Sequence, residues 1–218
     1  MTGMKTLNYT EITDLLPGAS ANVLQRFGWD EEGTRLKVDG SLGPLTRGAT
    51  FYVPEASGQI LVSYALAEMI LGAQEQPIGR NMGPFVAKYY MQDFDPKKNY
   101  GAWCASFSGW CVRQAYGKDA PYSWSARRLF KRARLWEHGH EVSLTESKPG
   151  DLILWSRDSA GPWNGHIGIV CGEDAEHVYT IEGNAGPFVR IYRYSKADDL
   201  KMPRDPCLGI CRITHPKA

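Results

Sequence analysis

Hydrophobic positions recur at helical spacing in the first part of the chain and in short β-branched runs in the second part. The helical pattern predicts four main helices: Ile60 to Leu71, Phe85 to Met91, one from about Cys104 that ends at Gly117, and about Ser125 to Trp136. The other pattern predicts five strands: Asp151 to Trp155, Ile167 to Cys171, Val178 to Glu182, Val189 to Tyr194 and Leu208 to Ile213. Helices followed by an antiparallel sheet predict an α+β fold, with the helices packed on one face of the sheet.

A small helical domain over residues 1–56 is predicted ahead of this unit, which spans residues 57–218. Proline, serine and glycine cluster near Val53 to Gly58, just before the first long helical run. Within the small domain, Ala21 to Phe27 indicates a short helix, and Pro44 favours the start of another from Leu45 to about Tyr52.

The predicted helix after Trp103 contains a candidate nucleophile. Its apolar positions recur at helical spacing, and Cys104 falls in its first turn. Unpaired backbone N–H groups and the helix dipole favour an anion there, so we expect a lowered thiol pKa and a nucleophilic thiolate. The apolar positions are Trp103, Phe107, Trp110, Cys111 and Ala115.

Two predicted strands offer the partners that a cysteine nucleophile needs. If the loop between them is centred on Asp174, His166 lies opposite Glu182 in an antiparallel pair, with Cβ atoms roughly 5 Å apart. Asn184, two residues further on, then shares a face with Glu182. A slip of one residue would turn Glu182 away from the histidine. With this register, an acid holds the base in one tautomer and directs it at Cys104.

Each of these residues alone has a more common role. A free cysteine is more often a buried small hydrophobe, and a lone histidine is more often structural. A lone glutamate on a strand usually faces solvent, and a lone asparagine usually forms a turn. The combination, in the order Cys104, His166, Glu182 and Asn184, is much harder to explain in this way.

Composition limits the partners. The chain has 218 residues, 43% of them hydrophobic, and a net charge of +1, so we expect no nucleic-acid partner. No apolar run approaches the length of a membrane span, and we expect a monomer. Of five cysteines, Cys207 and Cys211 have a loose zinc spacing with His215, but no fourth ligand is evident. We therefore expect no metal, and these two cysteines buried on one strand face.

Several motifs together resemble those of CHAP-type peptidoglycan hydrolases, which are related to papain-like and NlpC-type enzymes. They run from about Gly58 to Ile213 and include Trp103-Cys104-Ala105, Pro149 to Trp155, Gly165 to Val170 and Thr180 to Asn184. The resemblance implies a papain-like fold and cleavage of amide bonds in bacterial cell walls, by an N-acetylmuramoyl-L-alanine amidase or a peptide endopeptidase. It implies Cys104 as nucleophile, His166 as base, Glu182 as its orienter and Asn184 as a supporting polar group.

Five further residues are predicted to line the cleft: Trp103, Asn81, Tyr122, Trp124 and Trp163. Core packing is an equally good interpretation for the tryptophans, since aromatic side chains fill cores as often as they line sites. The mechanism requires no metal or cofactor.

The N-terminal segment has a resemblance of its own. Val38-Asp39-Gly40 and the positions up to Ala49 are similar to a small helical peptidoglycan-binding module, although Leu42 replaces a frequent aromatic residue and Phe51-Tyr52 replaces the usual Phe-Gln ending. The alternative is a helical extension that packs on the catalytic domain, because a piece below about 40 residues seldom folds alone.

Peptidoglycan is therefore the expected partner. The N-terminus has no signal-peptide pattern, so we expect synthesis in the cytoplasm and action on the wall or periplasm after release or injection. A phage or prophage endolysin and a secreted antibacterial effector, which would need an immunity protein, both fit. The alternatives are a non-catalytic wall-binding or phage structural protein, and a papain-like acyltransferase or deamidase acting on protein.

Overall fold

The protein combines helices with two antiparallel sheets. The computed structural model describes residues 3–55, 59–91, 94–157, 164–203 and 205–214. These residues form seven α-helices and nine β-strands, with the strands in one sheet of three and one of six. The prediction of an α+β fold is confirmed.

The N-terminal segment, residues 3–55, contains a sheet as well as helices. β1 (Met4–Leu7), β2 (Gly28–Trp29) and β3 (Thr50–Pro54) pair in the order β1-β3-β2, beside α1 (Tyr9–Leu15), α2 (Ala21–Leu24) and α3 (Pro44–Arg47). The prediction of a purely helical segment is therefore wrong in part. The helix expected to reach Tyr52 ends at Arg47, because burial then alternates with the period of a strand.

Four longer helices follow: α4 (Ile60–Ile70), α5 (Pro84–Tyr90), α6 (Cys104–Tyr116) and α7 (Ala126–Leu135). Their predicted bounds are confirmed to within one residue. Gly117, with φ 95°, ends α6 in a conformation that favours glycine. No helix in the described ranges is both long and apolar enough to cross a bilayer.

The large sheet has six strands rather than the expected five: β4 (Gly139–Val142), β5 (Leu152–Ser156), β6 (Gly165–Glu173), β7 (His177–Glu182), β8 (Arg190–Ser195) and β9 (Cys207–Ile213). Their order is β4-β9-β5-β6-β7-β8, and all neighbours are antiparallel. The sequence pattern missed β4 because its central residues, His140 and Glu141, are polar and exposed. The other five strands were predicted.

The long helices cover one face of this sheet. Ile167 and Ile169 of β6 pack in the same hydrophobic cluster as Phe107 of α6. Val170 packs with Trp155 in a separate cluster on the opposite face. Side chains alternate along a strand, so the even-numbered residues of β6 up to Val170 lie on the face away from the helices.

Cys207 and Cys211 do not share a face of β9, contrary to expectation. Cys211 belongs to the cluster on the helix side, whereas Cys207 packs against the cluster on the other side. The reason is a register shift between β5 and β9 at Leu154 and Trp155. An irregularity of this kind reverses the alternation of the residues beyond it.

The N-terminal segment packs against the rest of the protein through buried groups. Arg26 is 1% exposed, and its guanidinium donates hydrogen bonds to the carbonyl oxygens of Ala73 at 2.8 Å and Gly72 at 3.2 Å. Tyr52 stacks on Tyr179 of β7 with ring centroids 5.2 Å apart. Both sides contribute to one hydrophobic cluster. The predicted boundary at residues 56 and 57 lies outside the described residues, and the division into two domains stays a prediction.

Candidate active site

Cys104 is the first residue of α6. Trp103 precedes it as the N-cap, so the backbone N–H of Cys104 has no acceptor inside the helix. Phe107 and Cys111, further along the helix, are fully buried and fix its orientation in the core. The predicted helix start is confirmed, and the sulfur lies where the positive end of the helix dipole favours a negative charge.

The start of α6 fits into a notch at one end of the large sheet. β7 ends at Glu182, and the chain turns away at Gly183, where a Cβ atom would lie 2.6 Å from Cβ of Phe107. β6 continues beyond this point, and the backbone of Ile167 at its start is close enough to Cys104 to lower the pKa of the thiol. Close packing at a glycine therefore brings the helix terminus to the strand that carries the histidine.

His166 lies next to this notch, near the start of β6, and is 1% exposed. Its Nε2 atom is 2.7 Å from Oε2 of Glu182. Since Glu182 occupies Nε2, the other ring nitrogen, Nδ1, is the one left to exchange a proton with Cys104, whose charge raises the pKa of the histidine. The structure thus brings together the predicted nucleophile, base and acid.

Glu182 is held by three donors. Besides His166, the hydroxyl of Thr180 donates to its carboxylate at 2.6 Å and that of Tyr194 at 2.8 Å. The carboxylate is 1% exposed, so these hydrogen bonds replace water. A carboxylate fixed in this way can hold the imidazole in one orientation.

The register of β6 and β7 differs from the prediction. Ile169 pairs with Ile181 and Val170 with Thr180, which places Glu182 opposite Gly168, not opposite His166. The shift is two residues at this end of the pair, so Glu182 stays on the predicted face. Glu173 pairs with Val178, so the loop is centred between Ala175 and Glu176 rather than on Asp174, which alone would shift the pairing by three residues. The bulge between Val170 and Gly172 takes back one of these residues and thereby restores the predicted face.

The pKa values shift in the directions expected for a thiolate and an imidazolium. Burial is the largest influence and raises the pKa of Cys104, but the charge and hydrogen bond of His166 and the N–H of Ile167 lower it overall. Burial lowers the pKa of His166, but the charges of Cys104 and Glu182 raise it to about 9. For Glu182, burial raises the pKa, but His166 and the hydroxyl donors lower it overall.

Arg157 is a further neighbour of the base. Its Nη2 atom lies 3.2 Å from Nδ1 of His166. A guanidinium donates only to an unprotonated nitrogen, so this contact belongs to the state in which Nδ1 has lost its proton. The positive charge of Arg157 also lowers the pKa of Cys104.

Asn184 follows the end of β7 in a left-handed conformation, with φ 56°. It therefore does not continue the strand face of Glu182 as expected. It lines the same pocket as His166 and Glu182, which has a volume of about 560 Å³. Cys104 is 4% exposed and is not among the residues that line this pocket.

Two of the predicted cleft residues are structural. Trp103 is fully buried, stacks on Tyr89 at 5.8 Å and donates from Nε1 to Glu75 at 3.0 Å. Its ring and its indole N–H are therefore occupied within the core, which does not support its prediction as a substrate-binding residue. Tyr122 is half-buried, and its hydroxyl donates to the carbonyl oxygens of Tyr89 and Tyr90 at the end of α5. Its polar group is therefore occupied within the protein.

The remaining cleft predictions have separate outcomes. Trp124 is 50% exposed and lines a different pocket, of about 360 Å³, together with Tyr100 and Ala102. Asn81 is half-buried, with φ 51°, and its backbone is held by Glu75. Trp163 lies outside the described residues.

Sequence reasoning missed several supporting residues. Glu75 is 3% exposed and joins the indole of Trp103 to the backbone of Asn81, which fixes the approach to α6. No motif marks this lone acid in a loop. Thr180 had a usable signal, since it lies two residues before Glu182 and hence on the same strand face. Tyr194 comes from the neighbouring strand β8, and no local pattern reveals that pairing.

Metal binding has no support in the described part of the chain. Its histidine, cysteine and acidic side chains form no group of three that could hold a metal ion. Of the possible zinc ligands, His215 lies outside the described residues. The chemistry that the site itself offers is nucleophilic: a buried thiol with a lowered pKa, a basic imidazole and an orienting carboxylate.

Comparison with known proteins agrees with this chemistry. Residues 96–184 match the family model described as CHAP domain, and the matched region includes Cys104, His166 and Glu182 and ends at Asn184. Searches of curated proteins and of solved structures found no match. The peptidoglycan-binding resemblance of the N-terminal segment is not confirmed and stays a prediction. The chain therefore contains a CHAP-type hydrolase domain, the kind of domain associated with amidase or endopeptidase activity on peptidoglycan.

Proposed function

We propose that the protein cleaves an amide bond of peptidoglycan by covalent catalysis, with Cys104 as nucleophile, His166 as general acid and base, and Glu182 as orienter of the histidine. The observation that carries this proposal is the buried pair of His166 and Glu182, with 2.7 Å between Nε2 and Oε2, beside the Cys104 thiol, whose pKa is lowered in spite of its burial by the charge of His166. The CHAP domain supplies the substrate class.

The first stage is acylation. The thiolate of Cys104 attacks the amide carbonyl carbon, and the backbone N–H of Cys104 donates to the oxygen on which negative charge develops. The carbon–nitrogen bond then breaks, and protonated His166 gives its proton to the leaving amine. The products of this stage are a free amine and a thioester on Cys104.

The second stage is hydrolysis of the thioester. Neutral His166 takes a proton from water, which attacks the thioester carbonyl and releases a carboxylic acid and the Cys104 thiolate. Glu182 stabilises the imidazolium at both stages, because its buried carboxylate stays ionised next to Nε2. Asn184, on the wall of the adjoining pocket, is assigned as a supporting polar group.

A zymogram on purified sacculi tests the proposal with three proteins: the wild type, Cys104→Ala and the control Cys111→Ala. Cys111 lies in the same helix and is fully buried, and burial raises its thiol pKa well above the ordinary value. We expect clearing by the wild type and the control only. Loss of clearing in both variants would contradict a special role for Cys104.

Two other results would support one of the alternative functions instead. Binding to sacculi without clearing by the wild type would indicate a non-catalytic wall-binding protein. Neither binding nor clearing would indicate an acyltransferase or deamidase acting on protein. If clearing occurs, mass spectrometry of the released fragments distinguishes cleavage at N-acetylmuramoyl-L-alanine from cleavage within the peptide.

The proposed activity requires access to the wall, by phage-type release or by injection into another cell. We expect expression with an added export signal to lyse bacteria, whereas expression without it leaves them intact. Export of the Cys104→Ala variant is the matched control. Lysis by that variant would show that damage does not come from the thiol.

A further inference from the structure

The pocket beside His166 and Glu182 is lined by three arginines from different parts of the chain. Arg35 comes from the N-terminal segment, Arg157 follows β5, and Arg193 lies on β8. They share a pocket of about 560 Å³ with His166 and Glu182. The pocket therefore concentrates positive charge next to His166, the proposed base, and Glu182, its orienter.

The acidic residues of this pocket do not neutralise the arginines. Asp198 pairs with Lys201 at 3.2 Å, and the carboxylate of Glu182 is occupied by His166. In the part of the chain that the structure describes, none of the three arginines forms an ion pair with a carboxylate. A ligand with a negative charge would supply what the protein lacks here.

Arg35 is the best placed of the three to bind such a ligand. Its guanidinium carbon lies 3.6 Å from the centre of the Tyr192 ring, which fixes the plane of the group. Its Nη1 atom is buried and has no hydrogen-bond partner among the described residues. The backbone bridge between Arg35 and Trp29 holds the residue in place. Arg193, in contrast, already donates to the carbonyl oxygen of Gly33.

The buried Arg190 adds to the positive charge around Arg35. Arg190 is 8% exposed, its Nε atom has no hydrogen-bond partner among the described residues, and its Nη2 donates to the carbonyl oxygen of Leu36. Burial, followed by the charge of Arg35, lowers the pKa of Arg190 to about 10. Two neighbouring guanidiniums repel each other, and a bound anion relieves that repulsion.

We infer that this pocket binds a free carboxylate of the peptidoglycan stem peptide, with Arg35 as the specificity-determining residue. The inference rests on the proposed function, because the pocket shares His166 with the proposed site of bond cleavage and would hold part of the same substrate molecule. A planar guanidinium binds a carboxylate through two parallel hydrogen bonds. The N-terminal segment would then contribute to substrate binding by completing this pocket.

Kinetics on soluble muropeptides test the inference, with native muropeptides and muropeptides whose carboxylates are converted to amides. The proteins are the wild type, Arg35→Gln, Arg35→Lys and the control Arg128→Gln, which changes an exposed arginine on α7. We expect amidation to raise the KM of the wild type about tenfold, the effect of losing one charged hydrogen-bonding group. The value of kcat stays within about twofold, because Cys104, His166 and Glu182 are unchanged.

The Arg35 variants test the same contact from the side of the protein. Arg35→Gln raises KM on native muropeptides about tenfold and shows no further rise on amidated ones, whereas Arg128→Gln behaves like the wild type. Arg35→Lys keeps the charge but not the planar pair of donors, so we expect a smaller rise of about threefold. If Arg35→Gln does not fold, as judged by circular dichroism, the KM of Arg35→Lys tests the carboxylate site instead.

The outcomes separate the two proposals. Equal KM values for native and amidated muropeptides, or an unchanged KM in the folded Arg35 variants, would overturn the carboxylate site while cleavage still depends on Cys104. No cleavage of either muropeptide by the wild type would overturn the proposed function, and the inference with it.

Discussion

His166 contacts Glu182 diagonally across two strands, with 2.7 Å between Nε2 and Oε2, although the residue opposite Glu182 is Gly168. The glycine makes this diagonal possible. A Cβ atom at position 168 would lie 2.8 Å from Cγ of Glu182 and 3.4 Å from the ring of Trp155. The missing side chain thus leaves the space through which the carboxylate reaches the imidazole.

Gly168→Ala is therefore expected to impair catalysis more than folding. The new methyl group displaces Glu182 from Nε2, and we expect kcat to fall about 10- to 100-fold, since a misplaced base loses much of its contribution. The measurement is kcat on muropeptides together with the melting temperature. Gly43→Ala is the control, because the nearest neighbour of its Cβ would be Ser41 at 3.5 Å, in ordinary contact. An unchanged kcat in Gly168→Ala would contradict the role of the diagonal contact.

Glu182→Gln removes the charge of the orienter while it keeps the size of the side chain. We expect kcat to fall about 10²-fold or more, because the imidazolium loses its buried counter-charge. Tyr194→Phe is the comparison: it removes one donor at 2.8 Å but keeps the carboxylate, and costs about 1 kcal/mol of stability. If Glu182→Gln lowers the free energy of unfolding and leaves the kcat of the folded fraction unchanged, Glu182 is only structural.

The pH profile of kcat/KM reports on the thiol and the imidazole. We expect the rate to rise as Cys104 loses its proton, at a pH below the ordinary thiol pKa of 9.0. It falls again above about pH 9, where His166 loses the proton that the leaving amine needs. In Glu182→Gln the upper limb moves to lower pH, because the carboxylate no longer raises the pKa of His166. A wild-type rate that still climbs above pH 10 would contradict the ion pair.

The sequence predicts the parts of this site that depend on local pattern. The start of α6 at Cys104 and the strand segments of His166 and Glu182 follow from hydrophobic spacing and turn residues. The shared face of the two catalytic strands survives the error in register, because a shift by two residues preserves alternation. The true centre of the loop, between Ala175 and Glu176, and the bulge near Val170 have no sequence signal of their own, so the partner of Glu182 could not be counted correctly.

The parts that could not be predicted depend on contacts between distant segments. Arg35 reaches the pocket because the N-terminal segment packs against the strand that carries Tyr192. Trp103 is a core residue because Glu75, in another loop, binds its indole N–H. Neither contact follows from spacing along the chain, since each joins residues whose proximity only the tertiary fold creates.

Trp103→Phe tests the assignment of Trp103 to the core. Phenylalanine keeps the stacking on Tyr89 but leaves Oε1 of Glu75 without its donor at 3.0 Å. We expect the free energy of unfolding to fall by about 1–3 kcal/mol, the cost of an unsatisfied buried acceptor. KM stays at the wild-type value, because the ring does not touch the substrate. Trp124→Phe, at an exposed ring, is the stability control. A raised KM with unchanged stability would restore Trp103 as a binding residue.

Arg26→Ala tests how the N-terminal segment is joined to the rest of the protein. The substitution removes the buried donor to the carbonyl oxygens of Gly72 and Ala73, and we expect a loss of about 3 kcal/mol. Calorimetry of the full chain is the measurement. Arg47→Ala, at an exposed arginine with one hydrogen bond to the carbonyl oxygen of Leu42, is the control and should shift the transition little.

The number of unfolding transitions shows whether the N-terminal segment unfolds together with the rest of the protein. Because Phe51 of β3 and Leu61 of α4 belong to one hydrophobic cluster, unfolding of either segment exposes apolar surface of the other. We therefore expect a single transition that moves as a whole in Arg26→Ala. Two transitions, of which only one moves, would instead favour a separate N-terminal domain that ends near residue 56. In that case Arg35 would belong to a domain that folds independently of the residues with which Arg35 lines the pocket.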